Sequence, residues 1–157
     1  MGLRILLLIL LLVPPRLAMA EILAGRATVI DGDTLEIHGE RVRILDIDAP
    51  ESRQLCTDAI GAAYRCGQRA ALALADWIGD QVVSCDTTKL DRYGRHLARC
   101  SVAGADMATW LADSGLAVPY RDCKCEVVRS AAAGAEAARR GIWAGAFEMP
   151  WVWRKAN

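Results

Sequence analysis

The stretch Asp31–Glu51, DGDTLEIHGERVRILDIDAPE, limits what this chain can fold into. Leu35 and Ile37 alternate with Thr34, Glu36 and His38, and after Gly39-Glu40 the residues Val42, Ile44 and Ile47 carry the apolar pattern on. Period-two patterning on both sides of a polar turn is the mark of paired β-strands. Pro50 ends the second of them. Carboxylates stand at both ends of the run (Asp31, Asp33, Asp48 and Glu51, with Asp46 nearby) and Arg43 lies between. Folding the run back on itself places Asp33 beside Asp48.

The flanking sequence extends this plan. Ile22–Ile30 reads as a strand entering the Asp31-Gly32 turn. Gln68–Ile78 is alanine-rich and closed by Gly79, which predicts a helix. Val82–Cys85 and Leu97–Val102 read as two further strands around the polar turn Asp91–Arg95. Asp106–Ser114 predicts a second helix with Met107, Trp110 and Leu111 on one face, and Glu126–Arg140 a third. Pro119 argues against a central strand at Leu116–Tyr120. Glu51–Cys66 reads as a polar loop, and the tail carries Trp151 and Trp153, expected to pack on the barrel or the third helix. Three strands, a helix, two strands and two closing helices describe an α+β domain, mainly β with flanking helices: a five-stranded OB-fold barrel plus three α-helices.

Met1–Ala20 stands apart. Arg4, the apolar run Ile5–Val13 and Ala18-Met19-Ala20 form a secretory signal pattern with cleavage expected after Ala20. The apolar run is shorter than the about 20 residues that span a bilayer. A single domain over 21–157 is expected, secreted or periplasmic, with no stable membrane association after cleavage and as a monomer. Basic and acidic residues number 19 each. The leader contributes Arg4 and Arg16 and no acids, so the remainder is slightly acidic, which argues against a broad basic nucleic-acid coat. All six cysteines follow the leader. An even count there points to disulfides. His38 and His96 are the only histidines and no CxxC pair occurs, which argues against zinc. The favoured pairs are Cys56–Cys66, Cys85–Cys100 and, by remainder, Cys123–Cys125.

The side chains gathered by the hairpin suggest chemistry. Two facing carboxylates repel, so Asp33 with Asp48 calls for a hard cation with oxygen ligands. Asp31 and Asp33 can equally shape an Asx-type turn around Gly32. Glu51, on a loop edge beside the pair, is placed to accept a proton from water; a solvated loop acid is the plainer alternative. Arg43 faces away from Val42 and Ile44, towards the acids, and Arg95 closes the Asp91–Arg95 turn. Two guanidiniums on one phosphate would offset charge in a phosphoryl transition state. Arg41, Arg92 and Arg99 read as surface arginines, with Arg92 near enough to touch a neighbouring phosphate.

DGDT at Asp31–Thr34, RILDIDAPE at Arg43–Glu51 and DRYGR at Asp91–Arg95 resemble the three signature blocks of the thermonuclease, or staphylococcal-nuclease-like, family. Gly115–Ala117 and Gly141–Trp143 are secondary marks, and the likeness runs from about Ile22 to Trp143. The resemblance implies a calcium-dependent endonuclease of DNA and RNA that breaks the P–O5′ bond and leaves 3′-phosphate ends. It implies that Asp33, Asp48 and the Ala49 carbonyl hold Ca2+, with Asp31 behind them. Arg43 and Arg95 would bind the scissile phosphate and Glu51 would be the general base. Arg92, Tyr93 and Tyr120 would contact the nucleotide. The family often has Thr where Ala49 stands, and Pro119–Val127 departs from the family pattern of the pocket wall. Two other readings keep the same residues: a non-catalytic OB-fold module gripping an oligonucleotide or protein, and a secreted structural protein in which acids and arginines form salt bridges.

Overall fold

The computed structural model describes residues 22–157. The expected leader lies outside them. In chain order the elements are β1 (Ile22–Gly25), β2 (Ala27–Asp31), β3 (Thr34–Ile37), β4 (Glu40–Ile44), β5 (Ile47–Asp48), β6 (Leu55–Thr57), β7 (Ala63–Arg65), α1 (Cys66–Ile78), β8 (Val83–Leu90), β9 (His96–Val102), β10 (Ala105–Asp106), α2 (Met107–Asp113), β11 (Val118–Pro119) and α3 (Glu126–Ala137). A 3-10 turn at Gly141–Ala144 and helix α4 (Pro150–Ala156) complete the chain.

The main sheet has the order β1-β8-β9-β4-β3-β2, with β10 added to β9. Pairing is antiparallel except between β4 and β9. Strands β1 and β2 stand at opposite ends of that order yet are joined through Arg26 alone. Six strands laid flat would hold their outer strands roughly 24 Å apart. One residue spans only about 7 Å between its neighbours, so the sheet curls until its ends meet. This is the mixed α+β, OB-like architecture that the strand pattern predicts. The first predicted strand is β1 and β2 bent at Arg26, and the other four appear as β3, β4, β8 and β9.

Burial follows the period-two pattern. Leu35, Ile37, Val42, Ile44, Val83, Cys85, Ala98, Cys100 and Val102 point inward from the strands. Leu74 and Ile78 of α1 and Met107 and Leu111 of α2 close over them. Trp77 and Trp110 stack across the two helices at 4.4 Å. A second cluster, Cys56, Cys66, Val118 and Ile142, lies under the C-terminal segment, and Trp151 packs against it.

Four differences from the sequence reading matter. Among the described residues four helices form rather than three, because the tail from Pro150 is helical, with proline at the first helical position where its missing N–H costs nothing. The third predicted strand stops at Ile44, since Asp46 takes a left-handed φ of 70° before β5. The supposed loop Glu51–Cys66 contains the hairpin β6–β7, whose turn is closed by Asp58 Oδ1 accepting from the N–H groups of Ile60 and Ala62. Helix α3 ends at Ala137, short of Arg140.

Candidate active site

The Asp31–Asp33 turn is built from its own side chain: Asp31 Oδ1 accepts the N–H of Asp33 at 3.0 Å. The Asx-turn reading of Asp31 is therefore observed. Burial pushes the Asp31 carboxyl above its ordinary pKa, against the pull of Thr34, Arg43 and Arg95. Gly32 permits the turn to dock, because a Cβ there would lie 2.7 Å from Ala49 Cβ and 3.0 Å from that of Ala70.

Asp33 is buried. Its Oδ1 accepts from Thr34 Oγ1 at 3.1 Å and its Oδ2 from the Ala49 N–H at 3.0 Å. The Arg43 Nη1 pairs with the same Oδ2. Arg43 stands opposite Thr34 in the β3–β4 register, between buried Val42 and Ile44, so alternation turns it to the acidic face. Its Nη2 donates to Asp48 Oδ1 at 3.1 Å. Burial lowers the Arg43 pKa from its ordinary value, and the Asp48 carboxylate opposes that shift.

Asp48 is held in β5 opposite Val118 of β11 and has 0% exposure. The hairpin thus brings Asp33, Arg43 and Asp48 together as expected. Glu51 follows at the cleft edge, with 34% side-chain exposure. Its loop is fixed by Gln54, which the sequence reading did not single out. The buried Gln54 amide accepts the Glu51 N–H at 3.2 Å and donates to the Glu148 carbonyl at 2.6 Å. Helix α1 approaches the same loop at Gly67, where any Cβ would collide with the Glu51 carbonyl oxygen.

Arg95 comes from the β8–β9 turn. Asp91 Oδ1 accepts the N–H groups of Tyr93 at 2.8 Å and Arg95 at 3.0 Å, and Asp91 Oδ2 accepts Arg95 Nε at 2.8 Å. Burial works to raise the Asp91 pKa, but these hydrogen bonds outweigh it and hold the carboxyl below its ordinary range. Arg95 Nη1 reaches Thr34 Oγ1 at 3.4 Å, which ties this turn to the hairpin. The resulting cleft encloses about 1210 Å³ and is lined by Asp31, Asp33, Arg43, Ala49, Glu51 and Arg95, with Arg92, Tyr93 and Tyr120 on its walls. Tyr93 and Tyr120 are exposed, and Arg92 lies over the Tyr93 ring at 4.8 Å. Arg99 instead pairs with Asp46 at 3.0 Å on the surface.

The sequence reading also missed the charged residue that pairs with both acids. Arg154 of α4 donates from Nη2 to Asp48 Oδ2 at 2.7 Å and from Nη1 to Asp48 Oδ1 at 2.9 Å. The same Nη1 donates to Glu51 Oε1 at 2.7 Å. These hydrogen bonds raise the Arg154 pKa above its ordinary value. Pro150 is a legible helix-start signal, but nothing local ties a terminal arginine to a carboxylate 106 residues earlier.

The donor set is all oxygen, which suits a hard cation. The Arg154 guanidinium stands in as such a cation between Asp48 and Glu51. Among the described residues, no three His, Cys, Asp or Glu side chains form a ready cage. Asp33, Asp48 and the Ala49 carbonyl would hold a metal only with further oxygens from water or substrate. The six cysteines stand in three bonded pairs: Cys56–Cys66, Cys85–Cys100 and Cys123–Cys125, with Cα separations of 5.6, 4.1 and 5.2 Å.

A curled OB-like sheet whose turns present carboxylates and guanidiniums to one open cleft is the α+β architecture of this molecule. Comparison with known proteins makes this specific: residues 41–145 match the staphylococcal nuclease homologue family, and the chain belongs to it. It is 43% identical over 126 residues to "Succinoglycan biosynthesis protein ExoI" of Rhizobium meliloti (strain 1021), covering 79% of this chain and 66% of that protein. It is 31% identical to "Protein ParB" of Escherichia coli, over 89% of this chain and 83% of that one. It is 31% identical to "Micrococcal nuclease" of Shigella flexneri, over 89% and 84%. The chain thus spans just under two thirds of the length of the Rhizobium protein.

Proposed function

We propose that this protein is a secreted, calcium-dependent nuclease that hydrolyses phosphodiester bonds of DNA and RNA after removal of the Met1–Ala20 leader. The observation that carries the reading is the convergence of Asp33, Arg43, Glu51 and Arg95 on one cleft, with buried Asp48 paired to Arg43 behind its wall. Family membership and the nuclease among the relatives support it. The three disulfide pairs suit an oxidising compartment. Among the described residues no helix is long and apolar enough to cross a membrane.

Asp33, Asp48 and the Ala49 carbonyl are the residues that would hold Ca2+, which when bound supplies Lewis-acid polarisation of a phosphate oxygen. Arg43 and Arg95 bind the remaining phosphate oxygens and offset the negative charge that builds on them. Glu51 takes a proton from the water that attacks phosphorus. The P–O5′ bond breaks as the water oxygen bonds to phosphorus, the 5′ oxygen takes up a proton from solvent, and a 3′-phosphate end remains. Exposed Tyr93 and Tyr120 offer ring faces to the flanking nucleotide, and Arg92 a charge to the next phosphate.

The non-catalytic module stands as the second reading, favoured by one observation: Asp48 and Glu51 are both neutralised by Arg154. Incubating the purified protein with single-stranded DNA and with RNA, in calcium and in chelator, separates the two. Cleavage in calcium that chelator abolishes supports the nuclease. Intact substrate in calcium contradicts it.

A further inference from the structure

Helix α4 lies across the most critical part of the cleft, and its single contact with the acids is Arg154. The guanidinium fork takes both oxygens of Asp48 and one of Glu51, at 2.7–2.9 Å. Those are the oxygens that the nuclease reading needs free: one carboxylate for a divalent cation, the other for a proton. A bidentate fork is the strongest common way to hold a carboxylate. Asp48 has no exposed surface and Arg43 reaches only its Oδ1, so loss of Arg154 leaves the buried Oδ2 without a charged partner, which is unfavourable. Arg154 therefore leaves only when another cation takes its place. A divalent cation on Asp48 Oδ2 competes with the Arg154 fork for the same oxygen.

The attachment of α4 suits an element that moves. The helix has seven residues, and Pro150 is the only buried one among them. Its helical N–H groups from Val152, Trp153 and Asn157 bond within the segment, to Met149 and Trp153 carbonyls. Trp151 rests against the second apolar cluster with Arg121 over its ring at 5.7 Å. The preceding segment is anchored separately, by Gln54 on the Glu148 carbonyl. A pivot at Met149 would swing Arg154 out of the cleft and leave that anchor in place.

We infer that α4 is a built-in gate: Arg154 is the resident counter-cation of Asp48 and Glu51, and a divalent cation enters the site by displacing it. This rests on the calcium reading above. The closed state then lowers apparent calcium affinity by the fraction of molecules that are open. Calcium would both complete the site and release the proposed base, so the same ligand that supplies the charge would unmask Glu51.

The test is calcium titration by calorimetry on the full chain without nucleic acid, for wild type, Arg154→Ala, Arg154→Gln and Lys155→Ala. The gate predicts that both Arg154 variants bind calcium roughly tenfold tighter or better, following the released closed fraction. Lys155→Ala, which removes equal charge one residue along, is expected to stay within about twofold because its charge is exposed and screened. A wild-type readout needs no substitution: trypsin cleavage after Arg154 is slow in chelator and faster in calcium. Saturable binding with equal or weaker affinity in the Arg154 variants, or tryptic cleavage indifferent to calcium, overturns the gate and leaves the calcium reading intact. No calcium binding by wild type or variants overturns both.

Discussion

The two halves of the cleft are built in different ways. In the hairpin half, Asp33, Arg43 and Asp48 are set by strand register: Thr34 faces Arg43, and Val118 faces Asp48. Main-chain donors finish the work, with Ala49 N–H on Asp33. In the tail half, Arg154 reaches Asp48 and Glu51 from a short terminal helix through its side chain alone. The first half is fixed by the core that curls the sheet. The second is held by charge over a thin apolar contact. Rigid placement suits groups that must bind phosphate in one geometry, and a tethered charge suits a group that comes and goes.

Substitutions can break this contrast. Arg43→Ala is expected to have the largest effect, because it leaves buried Asp33 without its ion pair. Thermal and urea unfolding should show a loss of about 3–5 kcal/mol, together with loss of cleavage. If Arg43→Ala folds as stably as wild type, the hairpin half is not held as described. Cys85→Ala with Cys100→Ala removes the cross-link between the strands that feed the Arg95 turn. It should lower unfolding free energy by about 2–4 kcal/mol without changing calcium affinity. Gln54→Ala cuts the link from the Glu51 loop to the tail and should cost about 1–3 kcal/mol. Faster proteolysis near Glu148 would accompany that loss.

The smallest effect concerns pH. The Asp91 carboxyl is held below its ordinary range by Arg95 and the turn N–H groups, so the folded state prefers it ionised. Its contribution to stability is present above the unfolded carboxylate value of about 3.9 and is lost as pH falls through the lower folded value. Melting curves of wild type and Asp91→Asn should therefore differ by a constant amount near neutral pH and converge only in acid. Convergence already between pH 5 and 7 would contradict the assignment.

These contrasts also explain what the sequence made legible. Alternation is a local signal, so the strands, the inward face of Val42 and Ile44 and the outward turn of Arg43 follow from spacing alone. The Asp91–Arg95 turn is likewise local, its carboxylate serving its own N–H groups. Two things were hidden for the same reason. Gln54 acts through a partner 94 residues away and Arg154 through one 106 away. An amide or a guanidinium in a polar segment carries no mark of a distant partner. The bend at Arg26 and the stop at Ile44 were hidden differently: strand-like residues stand on both sides of each, and curling of the sheet decides where pairing breaks.

The central claim is that the cleft cleaves phosphodiesters through Glu51. The most direct measurement compares wild type with Glu51→Gln on single-stranded DNA in saturating calcium, with melting curves of both. The account predicts that Glu51→Gln melts close to wild type while turnover falls by about 10²–10⁴-fold. Turnover near the wild-type rate in a folded Glu51→Gln protein would contradict it.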